Sequence, residues 1–235
     1  MKKNKKLILI NLVLAGLLSG CAGAPNVSAP KSFWQNKNQQ VDIAKIPSSE
    51  DKASFYSVGD QGILDLAITE SLNKSTKKIL SQYDAQKILV NARTLFLSEL
   101  EKHHIKTRIV DAIDASKLPE SHAAPAQYST KDYQGLSKKY GNNRLLTLTI
   151  DKLGEQRMYY SVFPSGSPYA ICEMTGRLIN LKNNRIIWRY TVSASGVIKK
   201  PFTNQKNLFL AINQAAQNAT QDLANNFVMN AKNKK

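Results

Sequence analysis

Apolar and polar residues change period along this 235-residue chain, and the changes outline its elements. Ser54 to Val58 has the composition of a short strand. From Asp60 onward, Leu64, Ile68, Leu72 and Ile79/Leu80 recur at near-helical spacing, with Asp65, Glu70, Lys74 and Lys77 elsewhere on the wheel. Tyr83-Asp84 interrupts that pattern, and Asp84 is a suitable N-cap for a second helix. Its core face is marked by Ile88, Ala92, Leu95/Phe96 and Leu100. Ile105 to Val110 alternates as a strand. Asp111 to Thr130, with Pro119 and Pro125, reads as a loop. Asp132 to Tyr140 predicts a short helix stopped by Gly141.

The second half takes a period of two. Leu146, Leu148 and Ile150 alternate with Thr147 and Thr149, and Arg157 to Phe163 reads as a further strand. The cluster Pro164-Ser-Gly-Ser-Pro168 turns the chain into a long strand from Tyr169 to Leu181. Asn183-Asn184 then forms a hairpin turn leading to a partner strand, Arg185 to Ser193. Leu208, Ile212, Ala216, Ala219, Leu223 and Phe227 trace one face of a closing helix. The expectation is an α+β domain over residues 54–230, with a mostly antiparallel sheet packed with helices and a basic tail at 231–235.

The first twenty residues have a different logic. Lys2, Lys3, Lys5 and Lys6 precede an apolar run from Leu7 to Leu18, broken only by Asn11 and Gly16. The run is shorter than the ~20 apolar residues of a membrane-spanning helix and fits the middle region of a secretory signal. It closes on Leu18-Ser19-Gly20-Cys21, which resembles the lipobox of bacterial lipoproteins. That resemblance implies cleavage between Gly20 and Cys21, with diacylglycerol on the Cys21 thiol and acyl groups such as palmitate carried by that residue. Several acyl chains, at ~0.8 kcal/mol per buried CH₂, hold a protein stably at a bilayer. Ala22-Gly23 lacks the aspartate that resembles an inner-membrane retention signal, so the expected address is the periplasmic side of the outer membrane. Residues 21–53 carry Pro, Ser, Asn, Gln and Lys with little periodicity and read as a flexible tether. Extended, ~30 residues would reach ~100 Å at most. Trp34, beside Phe33, stands out in that stretch as a group that docks on the domain, on a partner or in the membrane interface.

Charge then narrows the partners. The formal net charge is +16, and four of the lysines belong to the signal. Export to the envelope argues against nucleic acid. It leaves acidic envelope polymers, anionic lipid head groups or an acidic protein patch, or a solubilising surplus, since the lysines are scattered. Cys21 is taken by lipid, so the second cysteine, Cys172, is left as a lone thiol in a strand-like run, the setting of a small buried hydrophobe.

The segment Gly176-Arg-Leu-Ile-Asn-Leu-Lys-Asn-Asn-Arg-Ile-Ile-Trp188 carries a wider resemblance. It is similar to the strand–turn–strand of the penicillin-binding-protein activator lipoproteins and the curli-secretion lipoprotein. An upstream helix and strand around Tyr140-Gly-Asn-Asn-Arg-Leu-Leu-Thr-Leu148 match as well. The likeness covers the order of elements from Ser54 to Val228, and asparagine here takes the place of the usual turn glycine. It implies the fold and the compartment. It also implies an accessory role in an envelope machine, either the outer-membrane complex of a secretion system or a cell-wall synthase.

Catalytic patterns do not emerge. His103 and His104 are adjacent at a helix end and diverge by roughly 100°, and His122 lies in a loop. Ser165-Gly-Ser167 lacks the nucleophile elbow, and no glycine-rich phosphate loop occurs. The expectation is a non-enzymatic protein with no metal and no cofactor beyond its covalent lipid. The alternative is a binder of an anionic envelope polymer or lipid through a basic surface. Tyr159, Tyr160, Phe163, Tyr169, Trp188 and Tyr190 cluster in the sheet region, and Tyr159 and Tyr160 must point to opposite faces. Candidate partner-binding residues are Trp34, Tyr159, Tyr160, Tyr169, Arg177 and Tyr190.

Overall fold

A single long strand organises the molecule. The computed structural model describes residues 24–48, 52–122 and 125–232, so Gly20, Cys21 and the last three residues lie outside the described part. The helices are α1 (Lys31–Gln35), α2 (Ile63–Leu72), α3 (Lys74–Leu80), α4 (Gln86–Lys102), α5 (Leu136–Tyr140) and α6 (Gln205–Lys232). The strands are β1 (Gln40–Lys45), β2 (Ser54–Asp60), β3 (Lys106–Ile109), β4 (Arg144–Tyr160), β5 (Phe163–Pro164), β6 (Tyr169–Asn180) and β7 (Arg185–Val197). They form one mixed sheet in the order β3-β1-β4-β6-β7, with β2 and β5 also paired to β4. The fold is α+β, as the alternating periods of the sequence imply. Among the described residues no helix is long and apolar enough to cross a membrane.

The meander β4-β6-β7 is antiparallel, as the turn-linked strands predict. The N-terminal strands are parallel to β4: β1 runs beside Leu145–Leu148 and β2 beside Gly154–Tyr160. Parallel neighbours need crossovers. The helices α2, α3 and α4 supply the one between β2 and β3.

Two expected strands are one. Leu146–Ile150 and Arg157–Tyr160 merge into β4, which shifts register between Ile150 and Lys152 instead of ending there, while Phe163, expected in the same strand, lies past a turn in β5 and pairs back on Tyr160. Gly154 explains how β2 reaches it. Its φ is +142°, and a Cβ there would lie 1.8 Å from the Ser54 carbonyl oxygen. Only a residue without a side chain lets the two backbones meet.

The expected tether is largely folded. Val41 and Ile43 of β1 are fully buried, and β1 lies between β3 and β4 in the sheet. Polar Asp42 between them hid this strand in the sequence. Its carboxylate is fully buried and accepts two hydrogen bonds from Arg108, Nε–Oδ1 3.0 Å and Nη2–Oδ2 3.1 Å. Such a fork satisfies an acid that would be costly to bury alone. At the other end, α6 runs to Lys232 and buries Ala231, so the expected tail boundary at 231 falls inside a helix.

One face of the sheet is covered by α4 and α6. Their apolar stripes, Leu89, Ala92, Phe96 and Leu100 on α4 and Ile212, Ala219, Leu223 and Phe227 on α6, pack on Leu146, Leu148, Cys172, Met174 and Trp188. The rings of Trp188 and Phe227 lie 4.7 Å apart, and Phe96 and Phe227 5.4 Å. Aromatic pairs of this kind contribute ~0.5–1.5 kcal/mol each beyond burial.

The helix expected from Asp60 to Leu80 breaks at Asn73. Its buried side chain donates to the Thr69 carbonyl at 2.6 Å and to the Tyr159 hydroxyl at 2.7 Å. The apolar stripe of α2 faces outward: Thr69 is its buried residue, whereas Leu64 and Leu72 are 74% and 66% exposed.

Candidate functional site

The face of the sheet opposite α4 and α6 is the more varied one. At one end the segment after β3, together with α5, folds over it. There Leu145, Ile179 and Leu181 form a small second core with Ile113 and Tyr133. Next comes a row of threonines. The register aligns Thr149, Thr175 and Thr191 across β4, β6 and β7. The Thr175 hydroxyl bonds the Asp151 carboxylate and lies 2.8 Å from the Thr191 hydroxyl. Thr149 donates to Asp151 at 3.2 Å.

An N-terminal strap lies along the β7 side of this row. Val27 and Arg189 exchange backbone hydrogen bonds of 2.7 and 2.8 Å. The Arg189 guanidinium donates to the Pro25 carbonyl at 2.8 and 2.6 Å and to the Ala126 carbonyl at 3.2 Å. Burial, and then the neighbouring Arg177, lower its pKa. Carbonyl oxygens rather than an acid thus hold this guanidinium. Between the strap and the sheet opens a cleft of about 430 Å³ lined by Asp151, Glu173, Arg177 and Thr191.

Toward the β4–β5 turn the same face becomes aromatic and apolar. Lys152 Nζ sits 4.8 Å from the Tyr56 ring centroid and donates to Gln156 at 3.2 Å. Gln156 in turn donates to the Tyr169 hydroxyl. Beyond them Met158, Tyr160, Phe163 and Val197 are exposed, the last three by 70% or more. The start of α2 is tied to the same end. Gln61 Nε2 donates to the Ser161 carbonyl at 2.9 Å, and the Ser161 N–H donates to Asp60 at 2.9 Å. This brings Ile63, 91% exposed, and Leu64 to the tip. The Gly62 N–H donates to the Asp65 carboxylate at 3.1 Å, which fixes the first turn of α2.

The candidate residues divide between the two faces. Tyr160, Tyr169 and Arg177 share the outer face, with Arg177 directly opposite Arg189. Tyr159 points the other way and is buried with its hydroxyl on Asn73. Tyr190 packs against the helix-face core. Trp34 is buried among Phe33, Phe227 and His103, with ring centroids 4.8, 5.0 and 5.1 Å away. Trp34 and Tyr159 therefore have no surface to offer a partner, and the expectation for them is corrected: both serve the core. Met158, Val197 and Ile63 are not marked by the sequence pattern, and Leu64 is marked only as part of the helical stripe of α2. Met158 could have been found, since it shares a strand face with Tyr160 at a spacing of two.

No family model and no curated protein matches the chain. Solved structures with a similar arrangement include PelC from Paraburkholderia phytofirmans, a dodecamer. It has 9% identity and a TM-score of 0.38, covering 86% of this chain and 96% of that one. Protein XCC0632 from Xanthomonas campestris has 10% identity and a TM-score of 0.42, covering 90% and 91%. A minor lipoprotein from Acinetobacter baumannii has 11% identity and a TM-score of 0.32, covering 80% and 94%. None of these likenesses assigns the chain a family, an activity or a partner.

Proposed function

We propose that this chain is a lipid-anchored, non-enzymatic accessory subunit of a bacterial envelope machine. It is held at the periplasmic side of the outer membrane through Cys21 and docks on a partner protein with the aromatic end of its outer sheet face. The partner is the outer-membrane complex of a secretion system or a cell-wall synthase. The observation that carries the reading is the gathering of Tyr160, Phe163, Met158 and Val197, large and exposed, on one face of the sheet. Exposed apolar groups concentrated in one place mark interaction surfaces, and aromatic residues and methionine are enriched at protein interfaces.

The anchor follows from the basic, apolar and small-residue order that ends at Cys21. With Cys21 acylated, the reach is short. Ala24 and Asn26 already lie on the fold, lining the cleft beside Asp151, and three residues span ~11 Å at most. The domain then works against its own membrane, not at the end of a long leash.

In-cell photocrosslinking tests the docking face. A photoreactive residue at position 160 or 163 should yield a discrete adduct with an envelope protein, while one at exposed Thr94 on α4 should not. Absence of any adduct from positions 158, 160 and 163 would sink the docking face. Separately, Cys21→Ser should move the chain out of the membrane fraction. Retention there would sink the anchor.

A further inference from the structure

On the side of the sheet away from the strap, α4 and α6 flank a groove of about 510 Å³. Its apolar part is Ile88, Leu95 and Ala216, and its polar part includes the side-chain amides of Asn91, Asn213, Gln217 and Gln221. None of its lining residues is charged, in a chain whose net charge is +16. Asn213 also lines a second depression of about 540 Å³ with Phe209. The Tyr83 hydroxyl donates to Asn213 Oδ1 at 2.6 Å, and the Tyr83 and Phe209 rings meet edge to face at 5.1 Å.

Each primary amide offers two donors and an acceptor in one plane, so it recognises groups that both donate and accept. A polyanion would be met by Lys and Arg, and an amphipathic helix by a wholly apolar groove. A row of neutral amides beside an apolar strip, with an aromatic ring at one end, fits a different ligand. We infer that this groove binds an uncharged glycan strand built of N-acetylated amino sugars. Ring hydroxyls and the acetamido N–H and C=O pair with the amides. The acetamido methyl groups and the C–H faces of the sugar rings rest on Ile88, Leu95 and Phe209. The groove is separate from the anchor and from the docking face.

The test is calorimetric titration of the full chain, in a sugar-free detergent, with the tetramer of N-acetylglucosamine. Saturable binding is expected, equally strong at low and high salt because no ion pair is made. The double variant Asn91→Ala/Gln217→Ala changes two exposed side chains. It should keep the melting temperature and weaken binding about tenfold or more. Tyr160→Ser should bind as the parent chain does. Absence of binding to the tetramer overturns the proposal, as does undiminished affinity in the double variant. Binding that falls steeply with salt and is matched by polygalacturonate overturns it in favour of a basic, anion-binding surface.

Discussion

Gly176 lies under the indole of Trp188: a Cβ on Gly176 would sit 2.5 Å from Cη2 and from Cζ3 of that ring, and 3.4 Å from Leu223. The two residues belong to neighbouring strands, and the indole fills the space above Gly176 on the helix face. The ring cannot move away, because it is fully buried, packed on Phe227 and held by a hydrogen bond from Nε1 to Asn226 Oδ1 at 3.1 Å. Gly176→Ala should therefore overpack the core and cost ~1–3 kcal/mol. Urea unfolding followed by Trp fluorescence should show a lower midpoint at unchanged slope. An unaltered midpoint would mean that the indole has room the structure does not show.

Adjacent tyrosines should respond unequally to mutation. The Tyr159 hydroxyl accepts a hydrogen bond from buried Asn73, so Tyr159→Phe removes a partner from the α2–α3 junction. A loss of ~1 kcal/mol is expected. Tyr160 is 71% exposed, and Tyr160→Ser should change stability by no more than ~0.5 kcal/mol. Equal effects from the two substitutions would contradict the assignment of faces.

Cys172 should be chemically silent in the folded chain. It is fully enclosed, and burial, aided by the nearby Asp151 and Glu173 carboxylates, pushes its thiol up to about 12. The thiolate is the reactive form. A maleimide should thus label position 172 only at the rate at which the domain opens, and the rate should rise with urea. Rapid labelling in native buffer would refute the burial.

Much of this arrangement is legible in the residues, and its gaps have physical causes. The Asn183-Asn184 turn is where the pattern puts it, and Asn184 takes a φ of +59°. Its buried side chain donates to the carbonyls of Ser129 and Lys131 at 3.1 and 2.8 Å, contacts that no local pattern announces. β1 was missed because it is short and carries Asp42, whose partner Arg108 stands 66 residues away. For Tyr159 and Tyr160, alternation shows that they part but not which one faces the helices. The outward stripe of α2 is the converse case. Its periodicity resembles that of a core-facing helix, yet the fold turns it to solvent.

The Glu155–Arg157 pair makes the fold less stable as pH rises past the ordinary carboxylate range. Glu155 is fully buried, and Arg157 Nη2 donates to its Oε1 at 2.6 Å. The other carboxylate oxygen, Oε2, is buried without a hydrogen-bond partner. Burial raises the carboxyl above its ordinary value, and the attraction of Arg157 offsets this only in part. In the folded chain the carboxyl therefore holds its proton more tightly than in the unfolded chain, where the value is ~4.3. Its contribution to stability is complete below that value and is lost as pH rises through the higher folded value. Glu155→Gln keeps an oxygen for Arg157 and cannot ionise, so it escapes the loss. Measured by urea unfolding from pH 4 upward, the parent chain should lose stability relative to the variant across this window, then run parallel to it at higher pH. If the gap instead widened in the parent's favour as pH rose, the ion pair would outweigh the burial of the charge, and Glu155 would be held as a stabilising carboxylate.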